Sequence, residues 1–197
     1  VIDTKGPVIT LEAEDQTVEC DGAGNTTELG AWLADNGGAR AADACSSAEE
    51  LTWLTPQLLE TIPGCGEYTK ELVYQFQAED DCGNTSTCTQ TITVGDITPP
   101  TITCPTGINV ECSADVPAAD ISLVTATDNC GTVTITFVSD VSDGNTCPEV
   151  ITRTYEAEDD CGNTSTCTQT ITVGDITPPT ITCPSGINVE CSADVPA

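Results

Sequence analysis

The chain of 197 residues has no histidine, no methionine and only four basic side chains, Lys5, Arg40, Lys70 and Arg153. Without histidine the commonest general base is missing. No G-x-S-x-G element or phosphate-cradling glycine loop takes its place, so the sequence reads as non-enzymatic. Against the four cations stand 32 acidic residues, for a formal charge of -28. A polyanion of this kind does not neutralise phosphates, which argues against nucleic acid and anionic lipid surfaces as partners. Cations, cationic surfaces and polar glycans stay open. No run of about 18 apolar residues exists, so no membrane-inserted helix is expected. Aromatic residues make up only 4% of the chain, which promises a thin core. Neither a signal peptide nor an initiator residue is seen, and the expectation is an excerpt of a longer mature chain whose export signal and anchor lie elsewhere.

Cysteine, by contrast, is abundant: 13 residues. Their wide spacings lack the paired C-x2-C halves of a zinc module, and with no histidine they read as disulfides formed in an oxidising, extracellular compartment. A cysteine nucleophile is implausible among them. Paired carboxylates can cleave glycosides, but the acidic clusters here recur in every copy of a repeat, at turns.

That repeat is the dominant feature. Residues 78–118 and 157–197 differ only at Thr106 against Ser185, and a more divergent copy opens at "DTKGPVITL", where Asp3 and Pro7 match Asp96 and Pro100. Such tandem copies mark an array whose unit is the size of a small domain. The expected organisation is a first immunoglobulin-like repeat over 1–95, a second over 96–174, and the first strands of a third over 175–197, with continuation into a further domain favoured over donation to another chain. The extra length of the first repeat falls around "TTELGAWLADNGGARAADAC". There Leu29, Trp32 and Leu33 have helical spacing, predicting a short helical insertion near 28–36 that plugs the end of a sheet core; the competing role for Trp32 is an exposed binding anchor.

Elsewhere the period is two. In "TCTQTITV", Cys88, Gln90, Ile92 and Val94 share one face and Thr87, Thr89, Thr91 and Thr93 the other. Similar alternation runs through Ile102 and Cys104, through Ile108, Val110 and Cys112, and through Val133, Ile135 and Phe137. Short strands with Gly, Asn and Pro turns predict an all-β fold of tandem, disulfide-stapled immunoglobulin-like antiparallel β-sandwiches arranged as a rod. "DCGNTS" at 81–86 and 160–165 reads as the turn before the last strand. The sequons at Asn25, Asn84 and Asn163 read as turn residues. Pro99-Pro100 and Pro178-Pro179 read as stiff spacers between repeats, each about 30–40 Å long if the strands have roughly ten residues.

The second repeat carries Cys104, Cys112, Cys130, Cys147, Cys161 and Cys167, and six cysteines allow about fifteen connectivities. Adjacent first and last strands favour Cys104–Cys167, whereas Cys88–Cys104 would have to span the rest of a strand. The remaining pairings taken forward are Cys112–Cys161 and Cys130–Cys147, with Cys20–Cys82 and Cys45–Cys65 in the first repeat. Leu11 stands where Cys104 would be, which leaves Cys88 unpaired and buried.

"DNCG" at 128–131, "YEAEDDCGNTSTCTQTITVGD" at 155–175 and "PPTITCP" at 99–105 resemble the HYR-like repeats, relatives of the hyalin repeat, of large surface proteins of Bacteroidota. The resemblance covers essentially the whole chain and departs from the pattern at Leu11. It implies an immunoglobulin-like fold, export to the cell surface, and service in an adhesin or gliding-type filament.

Acidic residues gather at the junctions and turns: Asp96 and Asp175, the clusters Glu79-Asp80-Asp81 and Glu158-Asp159-Asp160, and Asp128-Asn129. Calcium takes six to eight such oxygens, so these residues are the candidate calcium ligands, against the plainer reading as solvated turn residues. No other cofactor is expected. The leading function is a structural stalk or filament segment whose partners are neighbouring repeats of the same chain and other filament chains. Glycans or surfaces would be reached through a tip outside this sequence. The alternative is a carbohydrate- or surface-binding module using the threonine-rich sheet faces.

Overall fold

A computed structural model describes residues 2–183 and 185–186 of the chain. The first repeat runs through β1 (Val8–Leu11), β2 (Gln16–Glu19), helix α1 (Thr26–Ala34), β3 (Arg40–Ala42), β4 (Thr52–Trp53), β5 (Gln57–Pro63), β6 (Lys70–Glu79) and β7 (Thr85–Gly95). The second runs through β8 (Thr101–Thr103), β9 (Ile108–Val110), β10 (Thr125–Thr127), β11 (Val133–Ser142), β12 (Glu149–Asp159) and β13 (Thr164–Val173). Both build an immunoglobulin-like sandwich in the same way. A large sheet (β2-β7-β6-β4, with β5 also on β6; β9-β13-β12-β11) faces a two-stranded sheet (β1-β3; β8-β10).

The longest pairings, β6 with β7 and β12 with β13, are antiparallel hairpins. One pairing in each repeat departs from the antiparallel expectation: β2 runs parallel to β7, and β9 parallel to β13. The cause is local. The opening strand breaks after four residues in the first repeat and three in the second, switches sheets, and continues in the same direction until it meets the last strand.

The alternation read in the sequence sets the core. Ile92 and Val94 on β7, and Ile171 and Val173 on β13, are buried, while Thr85, Thr87 and Thr89 and their counterparts Thr164, Thr166 and Thr168 face solvent. In the first repeat α1 lies over the sheet and puts Trp32 edge-on to Phe76 and Tyr74, at centroid distances of 5.2 and 6.0 Å. Trp32 is a core residue, not a surface anchor, and its indole N–H donates to the Glu14 carbonyl. The second repeat has no α-helix, only two single-turn 3-10 helices at Ser113–Asp115 and Ile121–Leu123. Tyr155 takes the place of Phe76, and Arg153 is buried in a paired contact with Asp140, both nitrogens at 2.8 Å, with Pro117 accepting a further bond.

Asn25 precedes α1 with its side chain buried and saturated, donating to the Glu19 carbonyl and accepting from the Asp21 amide. After β13, the described residues up to Gly186 form no strand. The counterpart of β8, 180–182, is thus not a strand, against expectation, and the counterpart of β9, 187–189, lies outside the described residues.

Candidate functional site at the repeat junction

Strand β7 has 11 residues, so at about 3.3 Å per residue the two ends of a repeat lie roughly 35 Å apart. Which cysteine sits at which end decides the connectivity. Cys20 ends β2 with its amide donating to the Gly95 carbonyl, at the end of the first repeat that faces the second. Cys65, in the β5–β6 turn, is at that end too, because the flanking Pro63 and Lys70 pair with each other and Lys70 with Val94. Cys82, in the turn before β7, and Cys45, whose neighbour Ser46 donates to Asp81, lie at the far end.

The expected Cys20–Cys82 and Cys45–Cys65 bridges would have to cross the length of the sandwich. By the same argument applied to the second repeat, so would Cys112–Cys161 and Cys130–Cys147. None of these four forms. Instead two disulfides join the repeats: Cys20–Cys130, with Cα atoms 5.6 Å apart, and Cys65–Cys161, at 4.9 Å. Cys104 and Cys167 are bonded within the second repeat, Cα atoms 5.6 Å apart. Among the described residues Cys45, Cys82, Cys88, Cys112, Cys147 and Cys183 are unpaired. Cys88 is buried, and burial raises its thiol above the ordinary value. Ala13 shares its core cluster, while Leu11, the residue aligned with Cys104, is half exposed.

Around the bridges the junction is built as one piece. Cys20, Val94 and Cys130 form a small buried cluster lined by Val18 and Tyr68. The Asn129 amide donates to the Cys20 carbonyl at 2.7 Å. Gly22, at φ +67°, lets the first repeat approach: a Cβ there would lie 2.4 Å from the Asn129 carbonyl oxygen. Gly22→Val therefore forces the surfaces apart, and the expected result is incomplete Cys20–Cys130 closure, read as a newly alkylatable thiol pair.

The linker is clamped from both sides. Glu19 on β2 accepts from the Thr98 hydroxyl at 2.6 Å and from the Ile97 amide at 3.3 Å, and that hydroxyl above all lowers its pKa. From the second repeat the Asn163 amide donates to the Asp96 carbonyl at 3.2 Å, and Ser165 to that of Pro100. Glu111 repeats the Glu19 clamp on Ile176 and Thr177.

The acidic candidates take different roles. Asp80 and Asp159 organise the D-C-G-N turns, each accepting from two backbone amides and from the side chain of Asn84 or Asn163. For Asp80 burial is the largest influence and pushes its pKa up, but the Asn84 and Cys82 donors together outweigh it and the net shift is downward. Asp160 pins the Cys130 turn by accepting from the amide and hydroxyl of Thr132, at 3.0 and 2.7 Å, and Asp81 holds Ser46 at 2.6 Å. Glu79 and Glu158 hold no such partner among the hydrogen bonds of the described residues, and Asp175 is exposed with only the Thr177 amide on its carboxylate.

Asp96 lies among the charges of Asp128 and Asp159. Asp96 is 7% exposed, its Oδ1 accepts from the Thr98 amide, and its Oδ2 is buried with no partner, as is Oδ2 of Asp128. Burial, and then the charges of Asp128, Asp159 and Glu19, raise the Asp96 pKa. The carboxylates of Asp96 and Asp159 approach within 4.8 Å beside Cys161, whose sulfur is already committed to a disulfide. Asn129 spends its amide on Cys20 instead. At the start of the first repeat Asp3 and Asp43 come together in the same way next to Cys45. The match of Asp3 with Asp96 in the repeat is the sequence signal that points to this second cluster.

These shifts give opposite pH responses. The lowered carboxylates, Asp43, Asp80, Asp160 and Glu19, add stability that is full above about pH 4–4.5 and is lost as pH falls through their folded values. Asp96 runs the other way: its folded form holds the proton longer, so its contribution is lost as pH rises through its raised value. Asp96→Asn is accordingly expected to raise the melting temperature at pH 7 in chelator and to leave it unchanged near pH 3.

Residues 100–173 match the model of a family described as the HYR-like domain with 4 cysteines. Among solved structures the chain is similar to Drosophila N-cadherin domains EC1-4, with 12% identity and a TM-score of 0.37, covering 86% of this chain and 49% of that one. It is also similar to extracellular cadherin domains 3-6 of protocadherin gamma B2, with 10% identity and a TM-score of 0.37, covering 87% and 52%. The human desmocollin-1 ectodomain gives 13% identity and a TM-score of 0.27, covering 88% and 42%. The chain thus spans about half the length of these structures or less. No curated protein matches it.

Proposed function

We propose that the chain is a load-bearing segment of an extracellular stalk or filament, of the kind that presents a bacterial adhesin or gliding-type tip away from the cell. The observation that carries this reading is the pair of disulfides between repeats. A catalytic or ligand-binding unit gains nothing from bonding its neighbour twice, whereas a rod transmits force and resists bending only if its joints are fixed. The clamped linker and the acidic, solvated exterior suit the same role. Solution scattering is the direct test: the oxidised chain should give one elongated particle of roughly 60–80 Å, two repeats end to end at about 3.3 Å per strand residue, and reduction should broaden its distance distribution. Identical curves in both states would remove the joint from the account.

The junction also suits a hard cation, and calcium is the ion we propose. Two buried carboxylate oxygens without partners, on Asp96 and Asp128, are costly unless a proton or a cation neutralises them. Asp96, Asp128 and Asp159 would be its protein ligands. Calcium at about 100 times its dissociation constant should stabilise the folded chain by about 2.7 kcal/mol. Asp96→Asn and Asp128→Asn should each abolish that response while folding normally. A melting temperature indifferent to calcium and chelator would return these acids to a purely local role.

A further inference from the structure

The four junction cysteines have counterparts that the two described repeats leave unused. Cys112 follows the same V-E-C at the end of β9 as Cys20 at the end of β2. Cys147, in the β11–β12 turn, answers to Cys65. Cys45 follows Asp43 as Cys130 follows Asp128, and Cys82 lies in the same D-D-C-G-N turn as Cys161. Bonding therefore pairs a V-E-C cysteine with the D-x-C cysteine of the following repeat, and a β5–β6-type turn cysteine with the D-D-C-G-N cysteine of that repeat.

Resting on the stalk reading, we propose that Cys112 with Cys147, and Cys45 with Cys82, are the two halves of this same joint, each completed by a further copy of the repeat. The chain would then be one length of a covalently cross-linked ladder, with two bonds at every joint. Three observations support this. All four thiols are exposed, as a half-joint requires. The surface beside Cys147 is a groove of about 400 Å³ bounded by Val110, Pro148, Gly174 and Ile176, and Val110 is the counterpart of Val18, which packs against the Cys20–Val94–Cys130 cluster at the first joint. Glu111 already holds Ile176 and Thr177 as Glu19 holds Ile97 and Thr98, so the linker leaves this end in the direction it takes at the first joint.

The same rule accounts for the other unpaired cysteines. Cys183 is the counterpart of Cys104, waiting for the last strand of its own repeat. Cys88 is the counterpart of Cys167 in the one repeat whose opening strand has Leu11 in place of cysteine. Each new bond joins two thiol sulfurs with loss of two protons and two electrons. A disulfide oxidant such as oxidised glutathione accepts them and leaves as two thiols.

The test is the full chain extended after Ala197 by a second copy of its own residues 119–174, which completes a third repeat. The product is folded under a glutathione redox buffer, alkylated, and digested without reduction. The expected links are Cys112 to the third-repeat counterpart of Cys130, and Cys147 to the counterpart of Cys161, both near full occupancy. Alkylation of Cys112 and Cys147, or a bond between those two, would overturn the proposal. The first joint is the internal control: if Cys20–Cys130 and Cys65–Cys161 are found while the second joint is open, only this inference fails. If they are missing too, the stalk reading falls with it. Replacing Cys112 and Cys147 by alanine in the extended chain should leave the first joint closed and raise the free thiols by the two third-repeat partners.

Discussion

Pulled from its two ends, the oxidised chain will yield at least about 370 Å less extension than the reduced chain, at about 3.4 Å for each residue of the 110-residue separation that Cys20–Cys130 bypasses, with Cys104–Cys167 shortening the path further. The force path enters the first repeat, crosses to the second at Cys130, and never loads the strands between. Removing one bond has a smaller effect, because Cys65–Cys161 still bypasses a separation of 96 residues. Cys20→Ala should therefore bring residues 20–65 under load while keeping residues 66–95 out of the force path, and only loss of both bonds should release the whole first repeat. Single-molecule stretching in oxidising and then reducing buffer reads the difference directly. Two separate unfolding steps in the oxidised chain, one per repeat, would mean that each repeat closes its own bridges and that the joint carries no load.

The second large effect is expected at Tyr155. Its side chain is 1% exposed, faces Cys167 across the β12–β13 pairing, and meets Phe137 edge-on at 6.1 Å. The second repeat has no counterpart of α1 to share the burden that Trp32 and Phe76 share in the first. Tyr155→Ala should therefore cost about 3–5 kcal/mol, as for other large-to-small changes in packed cores. Phe137, 43% exposed, should cost much less when truncated. Urea unfolding with the disulfides intact measures both. Equal losses at the two positions would show that the second repeat is held by its bridges and not by its core.

Much of this fold could be read from periodicity. Alternation in "TCTQTITV" named the buried face of the last strand, and the spacing of Leu29, Trp32 and Leu33 located a helix that the structure places at Thr26–Ala34. The parallel pairing of β2 with β7 was not visible, because a sheet switch at Glu12–Asp15 leaves no mark on residue type. The disulfide pattern went astray for a physical reason. Bridges closed within each repeat would have to span strands of ten or eleven residues, whose ends lie too far apart for the cysteines to meet. Strand length multiplied by rise, applied to Cys20 and Cys82, carried that information in the sequence. At the acidic junction the residue types were legible but not their roles. Only the fold distinguishes Asp159, which accepts three hydrogen bonds from its own turn, from Asp96, whose Oδ2 is buried without a partner.

The most direct test of the account is a disulfide map of the 197-residue chain, alkylated as folded and digested without reduction. The account predicts peptides linking Cys20 to Cys130 and Cys65 to Cys161, with Cys104 linked to Cys167 and Cys88 recovered as a thiol protected from alkylation until the fold is opened. Links confined within each repeat, such as Cys20–Cys82 or Cys130–Cys147, would contradict it and leave two independent domains on a proline tether.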